Sequence, residues 1–449
     1  MPDRILHRVC GGFVVMLSSI VAAGAAPQGG VEAAYVVLGP QGAVGRAVLR
    51  DAVQCPAIEL DGTEQPMQIR ARADVGVSPR FPVTVCEKLI PPETRSASIA
   101  GQLLPLPAAR LEAIVVLGDT GCRMKAGTTA KRAGPADTDE AENGKFQDCN
   151  DPSQWPFGAV SSAAAASKPD LVIHVGDYLY RESSCPAGDR GCAGSPFGDD
   201  WAAWKADFFM PAAPLLAATP WIMTRGNHEI CKRGGAGYFR FLDPTLAGDR
   251  ASPSCLDQIP PYTVTVSGRS FIVLDSSNAP DSTPTSADVQ RYATQFSELR
   301  PAAGSWLVTH RPIWGVKSEK NKSNGKRQLV ILNETLEKAL AASGDALPAG
   351  IDLVLSGHIH LWEAIGFADK RPPQFVLGSG GTDLAHAIKG TLTGLPMGGA
   401  RAAFGRSEHV WGFTRFTPAD AGGWDATFFD EKNLPRASCT VARGEVGCK

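Results

Sequence analysis

The chain has 449 residues, 43% of them hydrophobic and 20% charged, with a formal net charge of −2. That length exceeds one ordinary domain unless the domain is large or carries an accessory one, and the apolar content is enough for a sizeable core. The near-neutral balance excludes a nucleic-acid footprint, and no basic helix marks a membrane surface. In chain order, Arg4, His7 and Arg8 form a basic start, Val9–Ala23 is mostly apolar, and Ala23-Gly24-Ala25 is a small-x-small site. This pattern predicts an export signal over residues 1–25, cut after Ala25, because the apolar run is short for a membrane span. No later segment is long and apolar enough to cross a bilayer, so no stable membrane anchor is expected. Cys10 lacks the small-residue context of a lipid-attachment site.

The cysteines agree with export. Of eleven, ten remain once Cys10 is set aside. They fall in sequence-local pairs: Cys55 with Cys86, Cys122 with Cys149, Cys185 with Cys192, Cys231 with Cys255 and Cys439 with Cys448. An even count behind a signal favours disulfides, although spacing leaves the connectivity open. No CxxC occurs, so a zinc–thiolate site has no support.

Residues 26–111 read as a β-rich N-terminal domain or extension, and residues 112–449 as the catalytic part. Ala34–Leu38, Met67–Ala71 and Phe81–Val85 are short, partly alternating strand candidates separated by Gly and Pro. From Ile114 the texture changes to apolar strands that each run into a polar loop. Ile114–Leu117 leads to Gly118-Asp119, Leu171–Val175 to Gly176-Asp177, and Trp221–Thr224 to Gly226-Asn227-His228. Phe271–Asp275 is a further strand, Ser305–Thr309 leads to His310, and Leu353–Ser356 leads to Gly357-His358. Helices are predicted over Asp200–Phe209, Ser286–Leu299 with Ser286 as N-cap, and Gln328–Ala342. Apolar runs alternating with helices predict strands covered on both faces, hence a layered α/β domain. Two insertions stand out: Cys122–Lys168, and the basic run Lys317–Arg327, read as a solvated loop with a substrate-steering role as the alternative.

The polar residues of interest all sit at the C-terminal ends of predicted strands, where loops of α/β domains converge on ligands. Asp119 and Asp177 offer carboxylates, Tyr180 a phenolate, Asn227 an amide oxygen, and His310, His358 and His360 imidazoles. Oxygen and nitrogen donors without thiolate suit Fe, Zn or Mn. Seven donors are too many for one ion and fit two adjacent metals sharing a carboxylate.

Gly118-Asp119-Thr120-Gly121, Gly176-Asp177-Tyr178-Leu179-Tyr180, Gly226-Asn227-His228-Glu229, Thr309-His310 and Gly357-His358-Ile359-His360 resemble the five blocks of calcineurin-like metallophosphoesterases. Within that superfamily they look like the purple acid phosphatase branch. Most of the superfamily carries Asp-x-His in the first block; here the chain has Asp119-Thr120-Gly121, and Tyr180 stands three residues after Asp177 as in the purple branch. The resemblance spans Ile114 to Thr382. It implies a layered α/β-β/α metallophosphoesterase sandwich with a small N-terminal β-rich region. It also implies one metal on Asp119, Asp177, Tyr180 and His360 and a second on Asp177, Asn227, His310 and His358. The first would be Fe(III), coloured by the tyrosinate, and the second Fe, Zn or Mn.

The same resemblance gives His228 the role of outer-sphere proton donor while metal-held hydroxide attacks the phosphorus of a small phosphorylated substrate. The expected protein is a secreted or periplasmic phosphatase acting on monoesters. A phosphodiesterase or nucleotide pyrophosphatase on the same site is the nearer alternative. The remoter one is a secreted binding protein with a degenerate catalytic domain. Other polar residues near the blocks take structural assignments: Tyr178 to packing, His174 to a hydrogen-bonded core position, Asp275 to structure, and Glu229 to holding its loop. Arg123, Arg225 and Arg311 adjoin the site and are either phosphate contacts or solvated. His386 and His409 have no spacing that argues for a role.

Overall fold

Continuous apolar runs in the central strands need cover on both faces, and the computed structural model shows what supplies it. It describes residues 30–50, 54–127, 144–248, 254–321, 323–344, 346–369, 371–420 and 422–449. The export signal therefore lies outside the described residues.

Two mixed sheets stack face to face. In the first, the parallel strands Ile114–Leu117, Leu171–His174 and Trp221–Met223 lie side by side, in register through Leu171↔Ile114 and Val172↔Trp221. In the second, Arg269–Leu274, Ser305–Thr309, Ile351–Ser356 and Gln374–Leu377 run parallel in that order. Side chains alternate along a strand, so each apolar run feeds two cores. Ile114, Val116, Ile173 and Ile222 meet Phe271, Val273, Trp306, Val308 and Leu355 between the sheets. Val115, Leu117, Val172 and Met223 face outward onto the helices Phe157–Ala166 and Met210–Ala218. Ile272, Leu274, Leu307 and Val354 do the same against the helices Ser286–Glu298 and Glu334–Ala342. The result is a helix–sheet–sheet–helix sandwich, the layered α/β-β/α architecture expected from the sequence.

The N-terminal strands extend the first sheet. Val31–Gly39 pairs in parallel with Trp221–Met223 through Val37↔Trp221, then antiparallel with Gly42–Arg50. A buried ionic group ties this extension to Asp243, just past the helix Gly235–Phe241. Arg70 donates to Glu87 at 2.8 Å and to Asp243 at 3.0 Å, and Arg46 donates to Glu87 at 3.2 Å. Loss of one member would leave an uncompensated buried charge, which makes the junction stiff. At the other edge, Gly412–Pro418 pairs with Ile114–Leu117 through Thr414↔Val116, and three more C-terminal strands follow it. None of these C-terminal strands was predicted.

Three local expectations are corrected. The Lys317–Arg327 run is not a plain loop, because Gly315–Lys320 and Arg327–Leu332 form a hairpin, with Val316 opposite Ile331. Helix formation from Gln328 fails for the same reason: Leu329-Val330-Ile331 pairs as strand, and the helix starts at Glu334, capped by Asn333. The cap of the Ser286–Glu298 helix is Thr285, whose hydroxyl accepts from Asp288 N–H, so Ser286 is the first helical residue. Between Asp200 and Ala218 the helix passes through a π-helical stretch, Lys205–Phe209. The five disulfides join Cys55–Cys86, Cys122–Cys149, Cys185–Cys192, Cys231–Cys255 and Cys439–Cys448. Among the described residues no helix is long and apolar enough to cross a membrane.

Candidate metal centre

The parallel strands of both sheets end at one edge, and the loops that leave them turn inward. Three of the turning residues, Asp119, Asp177 and His358, hold φ at 56°, 60° and 70°. Non-glycine residues rarely adopt this left-handed conformation, and such strain concentrates at functional sites. Neighbouring glycines make the crowding possible. A Cβ on Gly226 would stand 2.1 Å from Asp177 Oδ1, and one on Gly357 would stand 2.4 Å from Asp119 Oδ2.

All seven predicted donors converge there. Tyr180 Oη lies 3.0 Å from Asp119 Oδ1, 3.0 Å from Asp177 Oδ2 and 2.9 Å from His360 Nε2. On the other side of Asp177, His310 Nε2 is 3.2 Å from Asp177 Oδ2 and 2.8 Å from Asn227 Oδ1. Asp177, His310 and His358 place donor atoms within 4.8 Å of one another. The donors thus fall into two groups that share Asp177.

The residues fit metal ions. Donor atoms about 2.0–2.2 Å from one ion and at right angles to each other stand about 3 Å apart, which is the spacing seen around Tyr180 Oη. Charge points the same way. Asp119 is fully buried, and burial pushes its carboxyl well up, with the neighbouring Asp177 charge adding to the shift. A cation between the two carboxylates offsets both effects. Two imidazoles are aimed by their far nitrogens: His310 Nδ1 lies 2.8 Å from Val175 O and His360 Nδ1 lies 2.9 Å from Asp383 O. Each Nδ1–H donates to a carbonyl, which leaves Nε2 for the centre.

His228 stands at the edge of the group. Its Nε2 is 3.9 Å from Asp177 Oδ2, and its ring lies over that of Tyr180 with centroids 3.7 Å apart. Glu182 Oε1 is 2.8 Å from His228 Nδ1, and Arg233 donates to the same carboxylate. Burial opposes ionisation of Glu182, but His228 and Arg233 outweigh it and hold its carboxyl at about 2. Burial and then Arg233 lower the affinity of His228 for a proton.

A supporting layer fixes the loops. Both carboxylate oxygens of Glu229 accept backbone N–H groups, from Asp177, Tyr178, Leu179 and Gly226 at 2.8–3.1 Å. Asp207, in the π-helical stretch, accepts Tyr180 N–H at 2.8 Å, Cys122 N–H at 3.1 Å and Arg181 Nε–H at 2.5 Å. His174 lies 3.0 Å from Thr120 Oγ1 and stacks on Tyr178, whose hydroxyl donates to Thr224 O. Arg225 donates to Asp275 at 3.1 Å inside the protein. Arg123 covers the Tyr180 ring at 5.1 Å, and Arg311 lies beside His358 at 2.8 Å.

Sequence reasoning missed Glu182, Arg233, Asp207 and Asp281. Glu182 stands two residues after Tyr180 and Arg233 four after Glu229, so a scan for charge beside the blocks could have found them. Asp281 and Asp207 carry no local signal.

The layered sandwich, with oxygen and nitrogen donors gathered where its parallel strands end, defines a metal-dependent hydrolase of phosphoesters. The chain belongs to the calcineurin-like phosphoesterases, whose family model matches residues 113–361. That fold implies a two-metal site. The purple acid phosphatase PPD1 from seeds of yellow lupin (Lupinus luteus) has a similar structure, with a TM-score of 0.53 at 14% identity, covering 90% of this chain and 73% of that one. A PhoD structure aligns with a TM-score of 0.47 at 13% identity, covering 93% and 91%. No curated protein matches the chain.

Proposed function

We propose that this is a dinuclear phosphatase of the purple acid phosphatase type, exported from the cytoplasm, that hydrolyses small phosphate monoesters. The observation that carries the reading is the Tyr180 phenol, about equally close to Asp119, Asp177 and His360. A phenol in that place belongs to a tyrosinate ligand. Asp119, Asp177, Tyr180 and His360 would hold a ferric ion, and Asp177, Asn227, His310 and His358 would hold Fe, Zn or Mn. Bound there, the two ions supply Lewis acidity toward phosphate oxygens and lower the pKa of water.

The chain's own residues do the rest. Asp177 ties the two groups of donors together, and the Glu229 clamp keeps its loop from opening. His228 is placed to give a proton to the leaving oxygen, and Glu182 and Arg233 hold its ring at the edge of the centre. Residues 112–449 form the catalytic unit in this reading, and residues 26–111 extend its sheet. Export is supported by the five disulfides, which persist in oxidising compartments, and residues 1–25 would direct it.

Initial rates on para-nitrophenyl phosphate and on its bis ester test the proposal. The monoester is expected to be the better substrate by kcat/KM. A large preference for the bis ester would make the protein a diesterase on the same site.

A further inference from the structure

His310 and His360 both rest Nδ1 on a backbone carbonyl and offer Nε2 to the centre. His358 is turned the other way. Its Nε2 lies 2.8 Å from Asp281 Oδ2, so Nδ1 is the nitrogen left for the group that includes Asp177 and His310. A neutral imidazole carries one N–H. With Nδ1 committed to a metal, the proton sits on Nε2 and Asp281 accepts it. Arg311 Nη1 also lies 2.8 Å from that nitrogen, but a protonated Nε2 cannot accept from it, so in this tautomer Arg311 donates instead to the other oxygen of the carboxylate, 2.5 Å away.

Asp281 is itself held from a distance. Its Oδ1 accepts Asn333 Nδ2 at 2.7 Å, and its carbonyl accepts Glu334 N–H at 2.9 Å. Asn333 is fully buried and caps the helix Glu334–Ala342 by accepting Leu336 N–H at 3.0 Å. The carboxylate is therefore pinned to a helix start, and both it and His358 are nearly covered, with side-chain exposures of 12% and 11%. A backbone carbonyl only orients a ring; a carboxylate also makes the imidazole a stronger donor.

We propose that Asp281 is a positioning residue that fixes the tautomer of His358 and strengthens one metal site selectively, the one formed by Asp177, Asn227, His310 and His358. This rests on the two-metal reading above. Arg311 pairs with the same carboxylate, so the charge placed beside His358 has a cationic partner.

The test is calorimetric titration of chelator-stripped protein with Zn(II) alone, for the parent, Asp281→Ala and Asp281→Asn. The parent is expected to bind two equivalents. In both variants one binding step weakens, by about 10–100-fold in Asp281→Ala and by less in Asp281→Asn, while the other step is unchanged. Asparagine keeps the shape and an acceptor oxygen, so it reports on the role even if the alanine variant misfolds. Nitrogen-15 NMR of the histidines is expected to show the Nε2–H form of His358 in stripped parent protein and its loss in Asp281→Ala. Equal weakening of both steps, or no change in either, would overturn the proposal. A parent protein that binds no Zn(II) would instead sink the two-metal reading on which it stands.

Discussion

Tyr180 Oη and His360 Nε2 lie 2.9 Å apart, although 180 residues separate them in the chain. The two groups come from loops at the ends of different sheets, Tyr180 after Leu171–His174 in the first and His360 after Ile351–Ser356 in the second. Their meeting means that the centre bridges the sandwich and depends on how the sheets stack.

If Tyr180 binds iron as tyrosinate, the purified protein carries a visible charge-transfer band that Tyr180→Phe abolishes. The Phe ring fills most of the same space between Arg123 and His228. The fold is therefore expected to survive, with a melting temperature near that of the parent. A colourless, iron-free parent that is fully active would refute the ferric assignment and leave the phosphoesterase one intact.

Removal of the His228 ring separates metal binding from proton transfer. His228→Ala is expected to keep its metal content and lose about 10²–10⁴-fold in kcat toward alkyl monoesters, whose leaving groups need a proton. The loss should shrink with a nitrophenolate leaving group, which departs without one. Unchanged kcat on both substrates would remove His228 from the chemistry.

Glu363 sets a pH dependence of stability away from the centre. It is fully buried, accepts Val316 N–H at 3.0 Å, and burial pushes its carboxyl up to about 8. Between the ordinary 4.5 and about 8 the folded chain keeps this proton while the unfolded chain releases it. Stability therefore falls as pH rises through that window, by at most about 1.4 kcal/mol per unit, and the effect vanishes below it. Glu363→Gln mimics the neutral acid, so the variant should melt higher than the parent at pH 8 and close to it at pH 4.5. Parallel melting curves across this range would show that Glu363 is not held protonated.

Much of the site was legible because the chemistry sits next to its scaffold. A strand covered on both faces reads as a short apolar run, and the polar residue just past its end must lie at the sheet edge. Asp119, Asp177, Asn227, His310 and His358 all obey that rule. The edges of the sheets were less legible. Leu329–Leu332 is an apolar run that periodicity cannot tell from a buried helix, and only the pairing of its strand, Arg327–Leu332, with Gly315–Lys320 decides the matter. Ala400–Glu408 is half exposed with little alternation, so its strand character comes from the partner Trp362–Phe367. Asp281 was invisible for another reason: its partners Arg311, Asn333 and His358 meet only once the second sheet and the Glu334–Ala342 helix are assembled.

Metal analysis of purified parent and Asp177→Ala protein, with para-nitrophenyl phosphate turnover measured on the same samples, tests the two-metal reading. Asp177 belongs to both donor groups, so the parent is expected to carry two metals per chain, iron among them. In the variant neither metal is expected to be firmly bound, and turnover is expected to be lost with them. A parent that hydrolyses the ester with no metal, or an Asp177→Ala variant that keeps two, would contradict that reading.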